Sequence, residues 1–229
     1  MIWPPAWTRT VGTPWDQDLV VTKTQVTAYD PDDDPMVLEE VRDDYLKVTN
    51  GSVEDALIQS LIDSSLGMAQ YHTDRTILPE TWRLELSSFP SDGRILLPLP
   101  PLIEVVSVEY ADEAGDTQTL DAAEYNVKRV YGPKAQRSAI TLLSGGVWPS
   151  TYSSDDAVRV TFRCGYVDGS VSPEVIAVPA LLQQARRMLV EDWYVHRGST
   201  EAGAGLAVVP NEHTAIKLFQ AFRDIGRAG

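Results

Sequence analysis

Three histidines, His72, His196 and His213, carry the side chains in this sequence that most often bind metal ions or transfer protons. Each lies at the end of a different predicted helix, and no two have the H-x-x-x-H or H-x-H spacing that would place both on one metal ion. A histidine at a helix end commonly interacts with the exposed carbonyl groups there. We therefore predict helix-end roles for all three and no metal site.

Pairs of adjacent carboxylates are a second possible source of chemistry, because two acids with separated pKa values can act as acid and base. The pairs are Glu39/Glu40, Asp43/Asp44 and Asp155/Asp156. Adjacent acids on helix surfaces or loops rarely have such different environments. The glycines form no phosphate-binding pattern, and the Ser-Gly-Gly at 144–146 lacks the flanking glycine of a nucleophile elbow. We predict no catalytic residue and no cofactor; an enzyme would need a pocket in which a histidine meets carboxylates.

Two further features could bind or react. The stretch "YDPDDDP" at 29–35 would suit a hard cation only if other oxygens converged on it, and the twelve-residue calcium-loop pattern is absent. Mutually repelling carboxylates between prolines favour a solvated hinge. The single cysteine, Cys164, cannot form an intrachain disulfide and is predicted to be a small core side chain, with a nucleophile as the alternative.

The net charge of −14 argues against sequence-specific DNA binding as a function class, because affinity for nucleic acid depends on Lys and Arg displacing counterions from phosphates. The acidity is concentrated at the front: the segment up to Leu66 has thirteen Asp and Glu against four Lys and Arg. No apolar run reaches the length of a membrane span, and the first ten residues do not resemble a signal peptide. We expect a protein that stays in the compartment where it is synthesised.

The first third of the chain predicts an arm and two helices. Residues 1–35 contain three Trp and five Pro without a sustained period, which predicts an extended arm. Leu38, Val41 and Tyr45 have helical spacing and predict a short first helix. Ser52 and Asp55 have capping-box spacing before a second helix that ends near Tyr71 or Asp74. Its predicted buried face consists of Val53, Leu57, Ile58, Leu61, Ile62, Ser65, Leu66 and Ala69.

From Thr81 the apolar period changes to two, which predicts strands. Strands are predicted from Thr81 and at 94–97, 103–110, 117–120, 125–130, 138–143 and 157–164, with a hairpin turn at "DEAGD". Such dense short strands predict a small antiparallel sandwich or barrel. The stretch "ILLPLPPLIEVV" at 95–106 satisfies P-x-x-P spacing, but its leucines favour burial and its prolines favour a strand entry.

Helical spacing returns after residue 171. A long helix with Pro179 in its first turn has the predicted core face Val178, Leu181, Leu182, Ala185, Met188, Leu189 and Trp193, and Gly198 follows as a C-cap. A last helix places Ile216, Phe219, Phe222 and Ile225 on one face. The predicted fold is α+β, with an arm at 1–35, a helical unit at 36–78 continued at 171–200, an inserted antiparallel β unit at 79–170, and a loop and C-terminal helix at 201–229.

Several stretches in this order resemble the head-tail connector family, also called adaptor or head-completion proteins, of long-tailed bacteriophages and related particles. They are "DALIQSLIDSSLGMAQYHTDRTILPETWRLEL", "ILLPLPPLIEVVSVEY", "LDAAEYNV", "VTFRCGY" and "VPALLQQARRMLVEDWYVHRG". The resemblance covers roughly 37–197 and is weaker in the last helix. The chain departs from the family in residues 1–35, in the acids at 39–44 and in the loop at about 145–156.

The resemblance implies a structural virion protein without catalysis. Family members form a ring, typically of twelve copies, beneath the portal protein, where they extend the DNA channel and support the next neck or tail component. It implies a homo-oligomer located in the virion neck and assembled in the host cytoplasm, through which DNA passes without sequence-specific binding and without a membrane. A tail-associated module that binds carbohydrate or a host surface is the alternative, suggested by the β unit and six Trp.

Two candidate surfaces follow. Glu39, Glu40, Asp43 and Asp44 are predicted to face the channel lumen or a basic surface, because the local charge excess would disfavour adhesion of phosphates. The last helix is predicted to dock on the portal, since a terminal amphipathic helix can fill a partner's groove, although such a stripe also packs on its own domain. The residues proposed for docking are Ile216, Lys217, Phe219, Phe222, Arg223, Ile225 and Arg227.

Overall fold

A computed structural model describes residues 21–48, 51–143, 146–167, 177–196 and 211–224 of the chain. The helices are α1 (Asp55–Thr73), α2 (Ala180–Val195) and α3 (Asn211–Gln220). The strands are β1 (Val21–Thr27), β2 (Glu80–Leu86), β3 (Arg94–Leu96), β4 (Leu102–Ala111), β5 (Thr117–Thr119), β6 (Tyr125–Lys128), β7 (Ala139–Leu142) and β8 (Val158–Cys164). Mixed helices and antiparallel sheets agree with the predicted α+β class.

Helix α1 buries one stripe and ends where the sequence predicts. Ile58, Ile62, Ser65, Leu66 and Ala69 are buried, as expected for residues that recur on one helical face. The helix ends at Asp74, whose φ of 53° is the left-handed conformation that commonly closes a helix. Val53 and Leu57, predicted on the buried face, are instead 84% and 37% exposed. Val53 lies in a preceding 3-10 turn, Gly51–Glu54, so the α-helical spacing does not extend to it.

The predicted first helix is a single wide turn. Residues Glu40–Tyr45 form a π-type turn, and the amide of Leu46 donates to the carbonyl of Val41 at 2.8 Å. Val41 is buried within the turn. Just beyond the turn, Lys47 has the left-handed backbone conformation, with a φ of 56°. The turn therefore provides one apolar anchor and leaves its acidic side chains at the surface.

Within the described residues, eight antiparallel strands form two sheets. One has the order β1-β2-β8-β4-β5 and the other β3-β7-β6. The strands predicted from Thr81 onward are confirmed, and so is the hairpin at "DEAGD", where Gly115 has a φ of 89°. Strand β1 lies in the segment predicted as an arm and pairs with β2 from Val21↔Leu86 to Thr27↔Thr81. Its sequence "VTKTQVT" lacks an apolar alternation because an exposed edge strand buries little.

The two sheets share one apolar core. Strand β8 has the predicted alternation: Val158, Val160 and Phe162 are fully buried, whereas Arg159 and Arg163 are not. The shared cluster also includes Leu84, Leu86, Ile95, Leu97, Leu102, Val108, Leu120, Ile140 and Cys164. The Leu-Pro stretch enters β4 at Leu102 and is anchored by a 2.9 Å hydrogen bond from the Gly165 amide to the Pro101 carbonyl. Its predicted role as a strand entry is confirmed.

Helices α1, α2 and α3 pack on a second cluster that includes Leu66, Ile77, Leu182, Leu189 and Phe219. Buried Arg75 connects this cluster to the loop before β7: its Nε donates to the Phe222 carbonyl, and its Nη1 donates to the Ala135 carbonyl at 2.5 Å. The Tyr166 hydroxyl donates to the Pro133 carbonyl at 2.8 Å. The end of α3 and the loop before β7 are thus held together.

Candidate interaction surfaces

The four acids predicted as a functional surface are all exposed on or beside the π-type turn. We call Glu39, Glu40, Asp43 and Asp44 the acidic surface. Glu40 accepts a 2.8 Å bond from Arg187 of α2, and Asp43 accepts 2.6 and 3.0 Å bonds from Arg42. These hydrogen bonds lower the pKa of Asp43. Two arginines therefore fix the direction of two of the acids and offset part of their charge.

A depression of about 90 Å³ opens within the acidic surface. It is lined by Glu40, Val41, Asp44, Tyr45 and Arg187. The Tyr45 hydroxyl donates to Glu191 at 3.3 Å, which adds another carboxylate beside the depression. The lining thus combines the apolar Val41 with the carboxylates of Glu40 and Asp44 and the guanidinium of Arg187, which already bonds to Glu40.

The Asp-rich stretch is anchored and differs in part from the predicted hinge. Asp30, Asp32 and Asp33 are exposed, as a solvated hinge requires. Asp34 instead accepts bonds of 2.8 and 2.6 Å from Arg186, which is completely buried in α2. The prediction missed this pair because Arg186 lies on the apolar face of the helix, where periodicity alone predicts no cation.

The C-terminal helix uses its apolar stripe within the chain. Phe219 and Phe222 are 0% and 5% exposed and belong to the helical cluster, and Ile216 is partly buried. Lys217 and Arg223 are exposed, and Arg223 lies 3.7 Å from the Asp74 carboxylate. Ile225 and Arg227 lie outside the described residues. The surface that α3 offers to a partner is therefore its polar face.

The histidines lie on separate helices, as predicted. His196 closes α2 with its Nδ1 2.9 Å from the Asp192 carbonyl, whereas the ring of His72 stacks 6.4 Å from that of Phe219. His213 is exposed in the first turn of α3. Within the ranges that the structure describes, no group of three or more His, Cys, Asp or Glu side chains could hold a metal ion.

Two buried groups have perturbed acidity. Burial raises the pKa of the Cys164 thiol to about 12, and its Sγ donates to Thr76 Oγ1 at 3.4 Å. The prediction of a core cysteine is confirmed. Burial also raises the pKa of Glu80, whose carboxylate accepts bonds from Gln70 Nε2 at 3.1 Å and Trp82 Nε1 at 2.8 Å. The sequence pattern gave no sign that Glu80 would be buried, since it directly precedes the predicted strand.

Aromatic side chains of the β strands pack on one another. Phe89 stacks on Trp148 with ring centroids 4.6 Å apart and meets the Tyr110 ring edge-on at 5.7 Å. All three are partly buried against the β core. The exposed tyrosines, Tyr71, Tyr131 and Tyr152, lie on a helix and two separate loops. Among the described residues, the aromatic side chains thus pack within the fold or lie apart from one another, and they do not line up as a flat platform for a ligand.

These features define a mixed α/β protein whose charged segments lie at the surface and are held by buried side chains. No protein-family model matches the sequence, and no curated protein matches it. No helix within the part of the chain that is described is both long and apolar enough to span a bilayer.

The fold itself has solved counterparts. A chain in the virion of a native gene transfer agent particle is 20% identical with a TM-score of 0.64, covering 90% of this chain and 97% of that one. A chain from the neck of an empty particle, computed with C6 symmetry, is 21% identical with a TM-score of 0.66, covering 91% and 98%. A chain from the neck of the native particle, computed with C12 symmetry, is 21% identical with a TM-score of 0.64, and the match covers 91% of this chain and 98% of that one. The likeness therefore extends over nearly the whole fold.

Proposed function

We propose that this chain is a structural component of the neck of a phage-like particle, where it acts as a head-tail connector. The observation that carries the proposal is the likeness to neck chains over about nine-tenths of this chain and nearly all of theirs. A match of that extent includes both the helical cluster and the sheets. It thus concerns the arrangement of the chain as a whole, and not one common motif.

The finer proposal is a ring of twelve copies beneath the portal that extends the DNA channel and supports the next neck component. The native-particle neck computed with C12 symmetry supports this number, and the C6 symmetry used for the empty-particle neck is compatible with twelve copies. A closed ring repeats one heterologous interface, so each copy needs two different complementary faces. We propose a two-part architecture in which a helical bundle carries an inserted sandwich-like β unit, with no catalytic step and no cofactor.

The two candidate surfaces take separate roles. The acidic surface faces the lumen or a basic surface, because exposed carboxylates repel DNA phosphates and attract cations. Helix α3 and the turn that follows it contact the portal through Lys217 and Arg223, since Phe219 and Phe222 are enclosed in the chain's own core. Assembly takes place in the host cytoplasm, and the finished protein resides in the neck.

Replacing the gene by variants in a particle-producing host tests this function. Without the protein, we expect DNA-filled heads that lack tails, because nothing would join portal to tail. A Lys217→Glu/Arg223→Glu variant should fold, since both side chains are exposed, but should be missing from the necks seen by electron microscopy. Gln220→Glu, exposed on the same helix, adds a single negative charge without removing a cation and should assemble. Normal tailed particles in the absence of the protein would overturn the proposal.

A further inference from the structure

The hairpin of β6 and β7 carries a local positive charge in a chain of net charge −14. Residues 127–140 contain four cations and no Asp or Glu. We call Lys128, Arg129, Lys134 and Arg137 the basic surface. A segment that runs against the charge of its own chain attracts anionic groups, and Asp224 of the same chain already meets Arg137.

The basic surface has a fixed position. Lys128 pairs in register with Ala139, so the hairpin returns Arg137 to a point close to Lys128 and Arg129. The Lys134 ammonium lies 5.2 Å above the Phe222 ring, and Arg137 bonds to Asp224 at 2.6 Å. Lys128 and Lys134 themselves are exposed.

The basic and acidic surfaces lie at opposite ends of α1. The amide of Asp224, the partner of Arg137, donates to the carbonyl of Thr73 at 2.7 Å, which places the basic surface at the C-terminal end of this helix. At the other end, Arg42 of the π-type turn bonds to Asp55, the first residue of α1, at 3.0 Å. Nineteen helical residues separate the two ends by about 28 Å.

This separation decides how the two charges act. At physiological salt the Debye length is about 8 Å, so charges at opposite ends of α1 are largely screened from one another within a single copy. Neither surface can neutralise the other in the same chain. Each has exposed members, Lys128 and Lys134 on the basic surface and Glu39 and Asp44 on the acidic surface, and a second copy brings the opposite charge to both.

We propose that the basic surface of one copy contacts the acidic surface of the next, so that the two surfaces form the repeated interface of the ring. The inference rests on the proposed function, because only a ring or filament presents one end of each copy to the opposite end of its neighbour. Charge complementarity speeds association, fixes the register and disfavours incorrect partners. The proposed contact also specifies which surface the acids face, namely the cations of the adjacent copy.

Two charge-reversed variants in the particle-producing host test the contact. The first is Glu39→Lys/Asp44→Lys, and the second is Lys128→Glu/Lys134→Glu; all four side chains are exposed. Each variant alone juxtaposes like charges at every interface, and we expect about tenfold less of it in purified particle necks. Produced together, the two variants should enter at close to the wild-type level, because alternating copies restore opposite charges at each contact. Glu113→Lys/Glu124→Lys, equally exposed and equal in charge change to the first variant, is the control expected to assemble alone.

The outcomes separate the inference from the proposed function. Wild-type protein that is missing from necks would refute the proposed function, and with it this inference. Wild-type rings together with normal entry of both reversed variants, or with no recovery in the mixture, would refute only the inference. Retained rings with lost DNA from the Lys128→Glu/Lys134→Glu variant would assign the basic surface to DNA instead. Thermal melting of each variant checks folding. If a charge-reversed variant melts early, the neutral variant of the same surface replaces it: Glu39→Gln/Asp44→Asn for the acidic surface or Lys128→Gln/Lys134→Gln for the basic surface. Reduced entry of a neutral variant into necks would support the contact, and entry at the wild-type level would refute it.

Discussion

Arg186 binds Asp34 through two hydrogen bonds, with nitrogen–oxygen distances of 2.8 and 2.6 Å, across 152 positions of sequence. The guanidinium is completely buried and also donates from Nε to Ser65 Oγ of α1 at 3.2 Å. One side chain of α2 therefore holds both α1 and the segment that leads from β1 into the acidic surface. The position of the acidic surface depends on this buried ion pair.

Replacing Arg186 by Met should destabilise the protein strongly. The substitution removes the cation but leaves the Asp34 carboxylate, whose side chain is only 10% exposed, without its partner. Breaking a buried ion pair from one side typically costs about 3–5 kcal/mol in the free energy of unfolding. Chemical denaturation followed by circular dichroism measures this loss.

The neighbouring arginine provides the matched control. Arg187 bonds to Glu40 at 2.8 Å, but Glu40 is about half exposed. Arg187→Met should therefore cost about 1 kcal/mol or less, as exposed ion pairs do. Equal losses for the two variants would show that burial of the Arg186 pair contributes nothing particular to stability.

Gly165 lies where the chain leaves β8, with no space for a side chain. Its φ is 125°, and an added Cβ would come within 2.3 Å of the Leu78 carbonyl oxygen, a backbone atom that cannot rotate away. Gly165→Ala should therefore force β8 away from the segment that precedes β2. Gly132 has a similar φ of 113° but open space around its Cα.

The two glycines separate backbone strain from steric overlap. Gly132→Ala should cost about 1 kcal/mol or more through its φ alone. Gly165→Ala should cost a further 1–3 kcal/mol or so, comparable to overpacking a core. Thermal unfolding of both variants measures the difference, and equal melting temperatures would contradict the overlap with Leu78.

The elements predicted from the sequence are those whose burial follows a regular period. Alternation of apolar and polar residues predicts β2 and β8, because each of these strands buries one face. Helical spacing of apolar residues predicts α1 and α2 for the same reason. Strand β1 escaped prediction because an edge strand with exposed Gln25 and Val26 has no apolar pattern; its structure comes from hydrogen bonds to β2.

The long-range polar contacts could not be predicted. Arg75 and Arg186 are completely or almost completely buried, yet a sequence pattern assigns cations to the surface. Their partners, the carbonyls of Phe222 and Ala135 and the carboxylate of Asp34, become neighbours only after the chain folds. The acidic surface was predictable because its charge excess is local in sequence. The pairing of Arg187 with Glu40, which fixes part of its geometry, was not.

Cys164 should resist thiol reagents in the native protein. The side chain is fully buried and its pKa is about 12, so both access and ionisation are suppressed. Reaction then requires opening of the fold, and for a stability of 5 kcal/mol or more we expect labelling at least about a thousandfold slower than in urea. A Ser153→Cys variant, with the new thiol at an exposed position, should label rapidly at one site. Rapid labelling of the wild-type protein would contradict the packing of β8.

Glu80 should make stability depend on pH in the direction opposite to that of an ion-paired acid. Burial raises the pKa of this carboxyl above its ordinary value of 4.5, and Gln70 and Trp82 offset only part of the effect. The folded state therefore holds the proton more tightly than the unfolded state, so the stabilising contribution is fully present below pH 4.5 and is lost as pH rises through the raised pKa.

Glu80→Gln isolates this contribution, because glutamine has nearly the same shape and does not ionise. The free energy of unfolding of the variant, minus that of the wild type, should increase as pH rises from 4.5 and then level off above the raised pKa. Urea denaturation at closely spaced pH values measures the difference. Glu85→Gln on the same strand, where the side chain is only partly buried, is the control for the exchange of a carboxylate for an amide. A difference that stays constant or falls with rising pH would contradict a raised pKa for Glu80, and with it the burial of this carboxyl between α1 and the sheet.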